Sequence, residues 1–221
     1  MHPLKATPMK KLLVTFTTVT IFIAAFAHDA SAGAASFRAT KQVVSSDFPY
    51  EKGAMEIQAM AGAYWSLNNF GGQPTINYAL ENVRLGWMVC SPIGSGCLRG
   101  NGEVLLGVFG SEVVTGPGNY MIGGELIFRY NFVQPGAKWV PYAQLGGGGL
   151  YNNIYKNQSQ NLIGGPGEFM LTAGFGVRYH LSEKWALSAE FGYRHISNAD
   201  IYDRNLGLNS LGGQIGVSRF F

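Results

Sequence analysis

Residues 193–213 read YRHISNADIYDRNLGLNSLGG, with His195 two residues before Ser197 and Asn209 further on. A serine hydroxyl becomes a nucleophile when a neighbouring base takes its proton, and the base works best when a third group fixes its tautomer. His195, Ser197 and Asn209 could supply those three roles if the fold brings them onto one surface. Taken alone, a histidine near a strand end is ordinary interfacial decoration, and Ser-Asn after a strand is ordinary turn chemistry. The choice depends on the elements that carry these side chains.

The chain has 221 residues and opens with Lys5, Lys10 and Lys11, an apolar run over 12–27, and small residues ending in Ala30-Ser31-Ala32. That pattern predicts a secretory signal over 1–32 cleaved after Ala32, with Ala25-Phe26-Ala27 as a second cleavage site. The run is short for a retained bilayer helix and contains several Thr. Processing leaves 13 basic and 12 acidic residues, a net charge of +1, and removes His2 and His28, so that His180 and His195 remain. The basic balance of the whole chain therefore belongs partly to the signal and gives no ground for a nucleic-acid partner. Cys90 and Cys97 flank SPIGSG in an exported chain and read as a disulfide, Cys90–Cys97, stapling a turn. With no further Cys or His beside them, a metal site is not indicated.

No segment after the signal keeps a helical period. Segments of about ten residues alternate apolar with small or polar positions between Gly, Asn and Pro clusters, which is the pattern of a transmembrane β-barrel. Eight strands are expected, over 55–66, 76–89, 102–114, 120–133, 139–151, 168–180, 185–197 and 208–220, giving an all-β, eight-stranded antiparallel barrel over 55–221 with 33–54 as a lead-in or outer edge. In the fourth, Tyr120, Ile122, Leu126, Phe128 and Tyr130 share one face, and Glu125, Arg129 and Asn131 share the other. A soluble sandwich or lipocalin-type cup would turn the apolar face inward, and alternation alone does not decide between the two. Trp65, Trp87, Trp139, Trp185 and Tyr193 near strand ends suit interfacial girdles. The terminal SRFF resembles the carboxy-terminal signature of bacterial outer-membrane proteins. Short LSEK and QPGA suit periplasmic turns, and the longer segments after strands five and seven suit the outer side, with the Cys90–Cys97 turn as the long exception. Arg84, Glu125, Arg129 and Arg178 share the inward parity and should pair inside a filled lumen, which disfavours transport. His180 borders a turn and reads as solvated. The GGGG at 146–149 fits close packing in a curved wall better than a phosphate loop, which needs a following helix.

In strand seven, Trp185, Leu187, Ala189, Phe191 and Tyr193 share a face that continues through His195 and Ser197, so both point outward, toward lipid. With a hairpin centred near Tyr202, Asn209 stands opposite His195. Ser197, His195 and Asn209 then gather at the outer rim. HISNADIYDRNLGLNS also resembles the H-x-S-N-A stretch and following N-x-G-x-E/N segment of the outer-membrane lipid A 3-O-deacylases, the PagL or acyloxyacyl hydrolase family. Across the first six strands the likeness is one of architecture.

The resemblance implies a serine esterase on the exterior of an eight-stranded barrel that hydrolyses the ester at position 3 of lipid A in the outer leaflet, without a cofactor. It implies Ser197 as nucleophile, His195 as general base, Asn205 assisting the oxyanion and Asn198 as a further motif residue. Two positions depart from the family pattern: Asn209 stands where the triad glutamate is usual, and Asp200 where a glycine is common. An asparagine carbonyl can orient an imidazole but cannot stabilise an imidazolium as a carboxylate does, so the implied activity is slower or narrower. The implied partners are lipopolysaccharide and outer-membrane lipids, with a homodimer left open. The alternative from another class is a non-catalytic barrel with a structural or surface-binding role.

Overall fold

The computed structural model describes residues 47–67 and 72–221. The expected signal and most of the lead-in, residues 33–46, lie outside the described residues. Eight strands close into a barrel in which each pairs antiparallel with its sequence neighbours and β1 pairs with β8. They are β1 Met55–Ser66, β2 Asn77–Met88, β3 Asn101–Thr115, β4 Tyr120–Asn131, β5 Trp139–Asn152, β6 Gly167–His180, β7 Trp185–Ser197 and β8 Leu208–Phe220. The expected boundaries agree to within one or two residues, because most strands are bounded where alternation gives way to Gly, Pro or Asn, and β6 and β7 where it gives way to the polar Ser182-Glu183-Lys184.

The wall is apolar outside and charged inside. Phe175 and Ile215 are 63% and 73% exposed, whereas Arg84, Arg129, Arg178 and Arg194 are buried with Glu56, Glu103, Glu125 and Glu190. A soluble cup would show the reverse, so the alternation reads as a lipid-facing exterior. Inside, Arg84 Nε lies 3.1 Å from Glu125 Oε1 and Arg84 Nη1 2.9 Å from Glu190 Oε2. Arg194 Nη2 lies 2.7 Å from Glu125 Oε2, and Arg178 bridges Glu56 and Glu103. Burying charges is costly unless each is paired, and the pairing expected of a filled lumen is present.

Apolar clusters close both ends. At the outer end Tyr64, Tyr78, Phe109 and Met121 pack with Ile154, Leu162 and Ile163 of the β5–β6 loop. At the turn end Tyr50, Met88, Val140 and Phe220 form the other cluster, with residues 47–54 tied in by Gly53 N–H to the Met88 carbonyl at 2.9 Å and by Asp47 to Arg99 at 2.8 Å. This lead-in corrects the reading of His180: Tyr50 hydroxyl lies 2.8 Å from His180 Nε2, and the imidazole packs against Phe220. A half-buried partner of Tyr50 replaces the solvated turn residue. A Cβ on Gly148 would lie 2.0 Å from the Gly124 carbonyl oxygen, so that part of the GGGG run lets β4 and β5 meet closely.

The disulfide expected between Cys90 and Cys97 is not formed; both are free thiols. Cys90 Sγ instead accepts the Gly102 N–H at 3.2 Å, while Cys97 is exposed in a 3-10 turn. The turn is closed by backbone pairing of Ile93 with Gly100, which leaves the bridge no structural task.

Candidate active site

β7 delivers His195 and Ser197 to the outer rim, two residues apart on the lipid-facing side of the strand. β8 delivers Asn209 directly opposite His195 in the ladder. His195 Nε2 is 3.0 Å from Ser197 Oγ, and His195 Nδ1 is 2.7 Å from Asn209 Oδ1. A carbonyl oxygen can only accept, so the proton of a neutral imidazole sits on Nδ1 and the Nε2 lone pair faces the serine hydroxyl. The arrangement is that of a nucleophile, a base and an orienting group.

Tyr193 is a fourth member that sequence reasoning assigned only to the aromatic girdle. Its hydroxyl donates to Asn209 Oδ1, so that oxygen accepts from tyrosine and histidine together. The available signal was parity: Tyr193 shares the outward face with His195 and pairs with Leu211, which puts it diagonal to Asn209 and within reach of a long side chain.

The loop after Ser197 is held in an unusual shape. Ala199 and Asp200 both have positive φ, 51° and 63°. Left-handed backbone costs a non-glycine residue roughly 1–2 kcal/mol, and it persists here because neighbours fix it. Asn198, buried at the start of the loop, donates through Nδ2 to the Arg204 carbonyl at 3.0 Å. Asn205 Oδ1 accepts the Asn198 N–H at 2.8 Å, and Asn205 Nδ2 donates to Asp200 Oδ1 at 2.7 Å. Asn205 thus splints the loop rather than presenting a free amide. Asp200 takes the backbone shape that a glycine would adopt, and neither the Ala199 nor the Asp200 N–H has an acceptor among the described residues. Gly207, at φ 77°, completes the loop; a Cβ there would lie 2.8 Å from His195 Cε1.

The carboxylates nearest in sequence, Glu190, Asp200 and Asp203, do not stand in for a triad acid at His195. Glu190 is in the lumen with Arg84 and Tyr142, Asp200 holds Asn205, and Asp203 is exposed at the loop tip. Below the site, a concave strip of about 700 Å³ crosses the barrel exterior. Ala143 and Ala173 line it with Phe128, Leu145, Phe175 and Phe191, and so do Tyr193 and Leu211 from the two strands that carry the site. Among the described residues no three His, Cys, Asp or Glu side chains gather to hold a metal.

The model of the family described as lipid A 3-O-deacylase (PagL) matches residues 35–218. The chain belongs to this family. Its closed eight-stranded wall, apolar outside and charged inside, is that of an outer-membrane β-barrel. No curated protein matches the chain. Among solved structures, Neisserial surface protein A aligns at 15% identity with a TM-score of 0.51, covering 76% of this chain and 98% of the other. The outer-membrane enzyme PagL aligns at 22% identity with a TM-score of 0.49, covering 73% and 97%. The former likeness speaks to fold alone. Membership of the lipid A deacylase family rests on the sequence match.

Proposed function

We propose that this chain is a lipid A 3-O-deacylase, a serine esterase exported through a signal cleaved after Ala32 and acting on lipopolysaccharide in the outer leaflet. The observation that carries the reading is the line Ser197–His195–Asn209, within hydrogen-bond distance throughout, on the lipid-facing side of a barrel of this family. Ser197 Oγ attacks the ester carbonyl carbon as His195 Nε2 takes its proton, while Asn209 Oδ1 holds Nδ1–H. The oxyanion is met by the Ala199 and Asp200 N–H groups at the strained turn, with Asn205 Nδ2 available when it leaves Asp200. Collapse of the tetrahedral intermediate breaks the ester C–O bond, and His195 gives the proton to the departing sugar oxygen, which leaves as a hydroxyl. Water then attacks the acyl-Ser197 ester with His195 again as base and releases the 3-hydroxy fatty acid. The exterior strip beside Tyr193 gives an acyl chain an apolar bed.

A non-catalytic barrel is the second reading, and the asparagine at 209 favours it, because no carboxylate stabilises an imidazolium here. Mass spectrometry of lipid A from cells expressing the chain decides between them. Loss of one hydroxyacyl mass that vanishes in Ser197→Ala establishes the esterase, and faster loss in Asn209→Glu identifies the asparagine as the limit on rate. Unchanged lipid A from a barrel folded in the outer membrane supports the scaffold.

A further inference from the structure

The two long loops at the outer end treat their apolar residues in opposite ways. The β5–β6 loop, 153–166, buries Ile154, Leu162 and Ile163 over the lumen and exposes Lys156, Asn157, Gln158, Ser159 and Asn161. That is how a loop bathed in water is built. The β7–β8 loop, 198–207, leaves Ile201 64% and Leu206 60% exposed. Neither side chain is buried to fasten the loop. Arg204 does that by donating to the carbonyls of Tyr155, Asn157 and Gln160 at 2.8–3.0 Å, and the Tyr202 ring lies on Gly165, where a Cβ would collide with it.

The wall directly below this loop is also exposed and apolar. Phe169 pairs with Ser197 and Leu171 with His195 across the β6–β7 ladder, and both are exposed. On the other flank the Leu67 N–H bonds the Asn209 carbonyl at 2.8 Å, and Leu67 and Trp65 are exposed too. Exposed apolar surface thus runs up β6, β7 and β1 to the level of the His195–Ser197 pair, and Ile201 and Leu206 stand exposed in the loop that joins β7 to β8 directly above it. An exposed apolar patch directly above a lipid-facing wall has acyl chains as its neighbour.

We infer that Ile201 and Leu206 are seated in the acyl layer of the outer leaflet. Lipid covers this edge of the β7–β8 loop, Asp203 at the tip marks the headgroup level, and Ser197 lies just beneath the membrane surface. A substrate ester then meets the serine without its chains leaving the bilayer. The inference concerns where the loop sits and holds whether or not the site turns over.

The test uses the full mature chain refolded into phosphatidylcholine vesicles, with Cys90→Ser and Cys97→Ser removing the native thiols. A nitroxide is placed in turn through Ile201→Cys and Leu206→Cys, with Phe175→Cys as a wall reference and Ser159→Cys as a water reference. The ratio of oxygen to nickel-chelate accessibility is read by electron paramagnetic resonance on each. Ratios at 201 and 206 several-fold above that at 159, approaching that at 175, are the expected result. Ratios at 201 and 206 equal to that at 159 overturn the inference. Because no turnover is needed, a lipid-seated loop on an inactive barrel and a water-seated loop on a working esterase are distinct outcomes.

Discussion

In the proposed esterase Asn209 is the residue on which the chemistry turns, and its surroundings offer an uncharged group a way to serve there. It accepts from His195 Nδ1 and from the Tyr193 hydroxyl, so a second donor further polarises the carbonyl that orients the base. Tyr193→Phe removes that donor while leaving the ring in the wall. One hydrogen bond is worth about 0.5–1.5 kcal/mol net, so kcat should fall about two- to tenfold with KM unchanged and the barrel still folded, as deacylation kinetics on dispersed lipid A would read. A fall in folded yield with an unchanged kcat would instead make Tyr193 a structural residue. Gly207→Ala is the harsher change. Its Cβ would press on His195 Cε1 at 2.8 Å from a backbone already at positive φ, so the imidazole must move. Misplacing a catalytic group by about 1 Å can cost about 100-fold, and a kcat loss of that order in a folded variant is expected. That His195, Ser197 and Asn209 meet at one rim was legible in the sequence because strand parity and one hairpin centre fix who faces whom. Tyr193 was not, since a girdle aromatic and a positioning aromatic look alike until the diagonal neighbour is known.

At the scale of elements, the β7–β8 loop keeps its shape through a neighbour more than through itself. Arg204 delivers its guanidinium to carbonyls of the β5–β6 loop, and Leu206 and Gly207 N–H groups bond the Asn161 and Leu162 carbonyls at 2.9 and 3.1 Å. Arg204→Ala should free both loops. Limited proteolysis of the folded barrel should then cut within 153–166 faster than in the parent chain, and deacylation should slow because the turn at Ala199 and Asp200 loses its support through Asn198. Proteolysis at the parent rate would show that the backbone bonds suffice. The strands themselves were readable from alternation, since a wall between lipid and a packed lumen imposes a period of two along its length. The clamp was not, because a guanidinium bonding to backbone carbonyls demands no residue type on the other side. Cys90 and Cys97 mislead for a related reason: spacing in an exported chain suggests a bridge, while the turn is already closed by the Ile93–Gly100 pairing.

The whole molecule separates two surfaces with different tasks: an ionic lumen that holds the barrel together and an exterior that meets lipid. Glu125 tests the separation. It lies 3.1 Å from Arg84 Nε and 2.7 Å from Arg194 Nη2 with no solvent exposure of its side chain. Glu125→Gln keeps the volume but removes the charge between two arginines, and breaking a buried pair from one side costs about 3–5 kcal/mol because the partner charge remains. The variant should unfold from vesicles at lower urea than the parent chain, by an amount in that range. His195 and Ser197 face the opposite side of the wall, and Glu125 touches neither. Where the variant is still fully folded, its deacylation rate should therefore match the parent's. A slower rate from a fully folded Glu125→Gln barrel would mean that the lumen sets the β7–β8 register, and that the two faces are energetically one system.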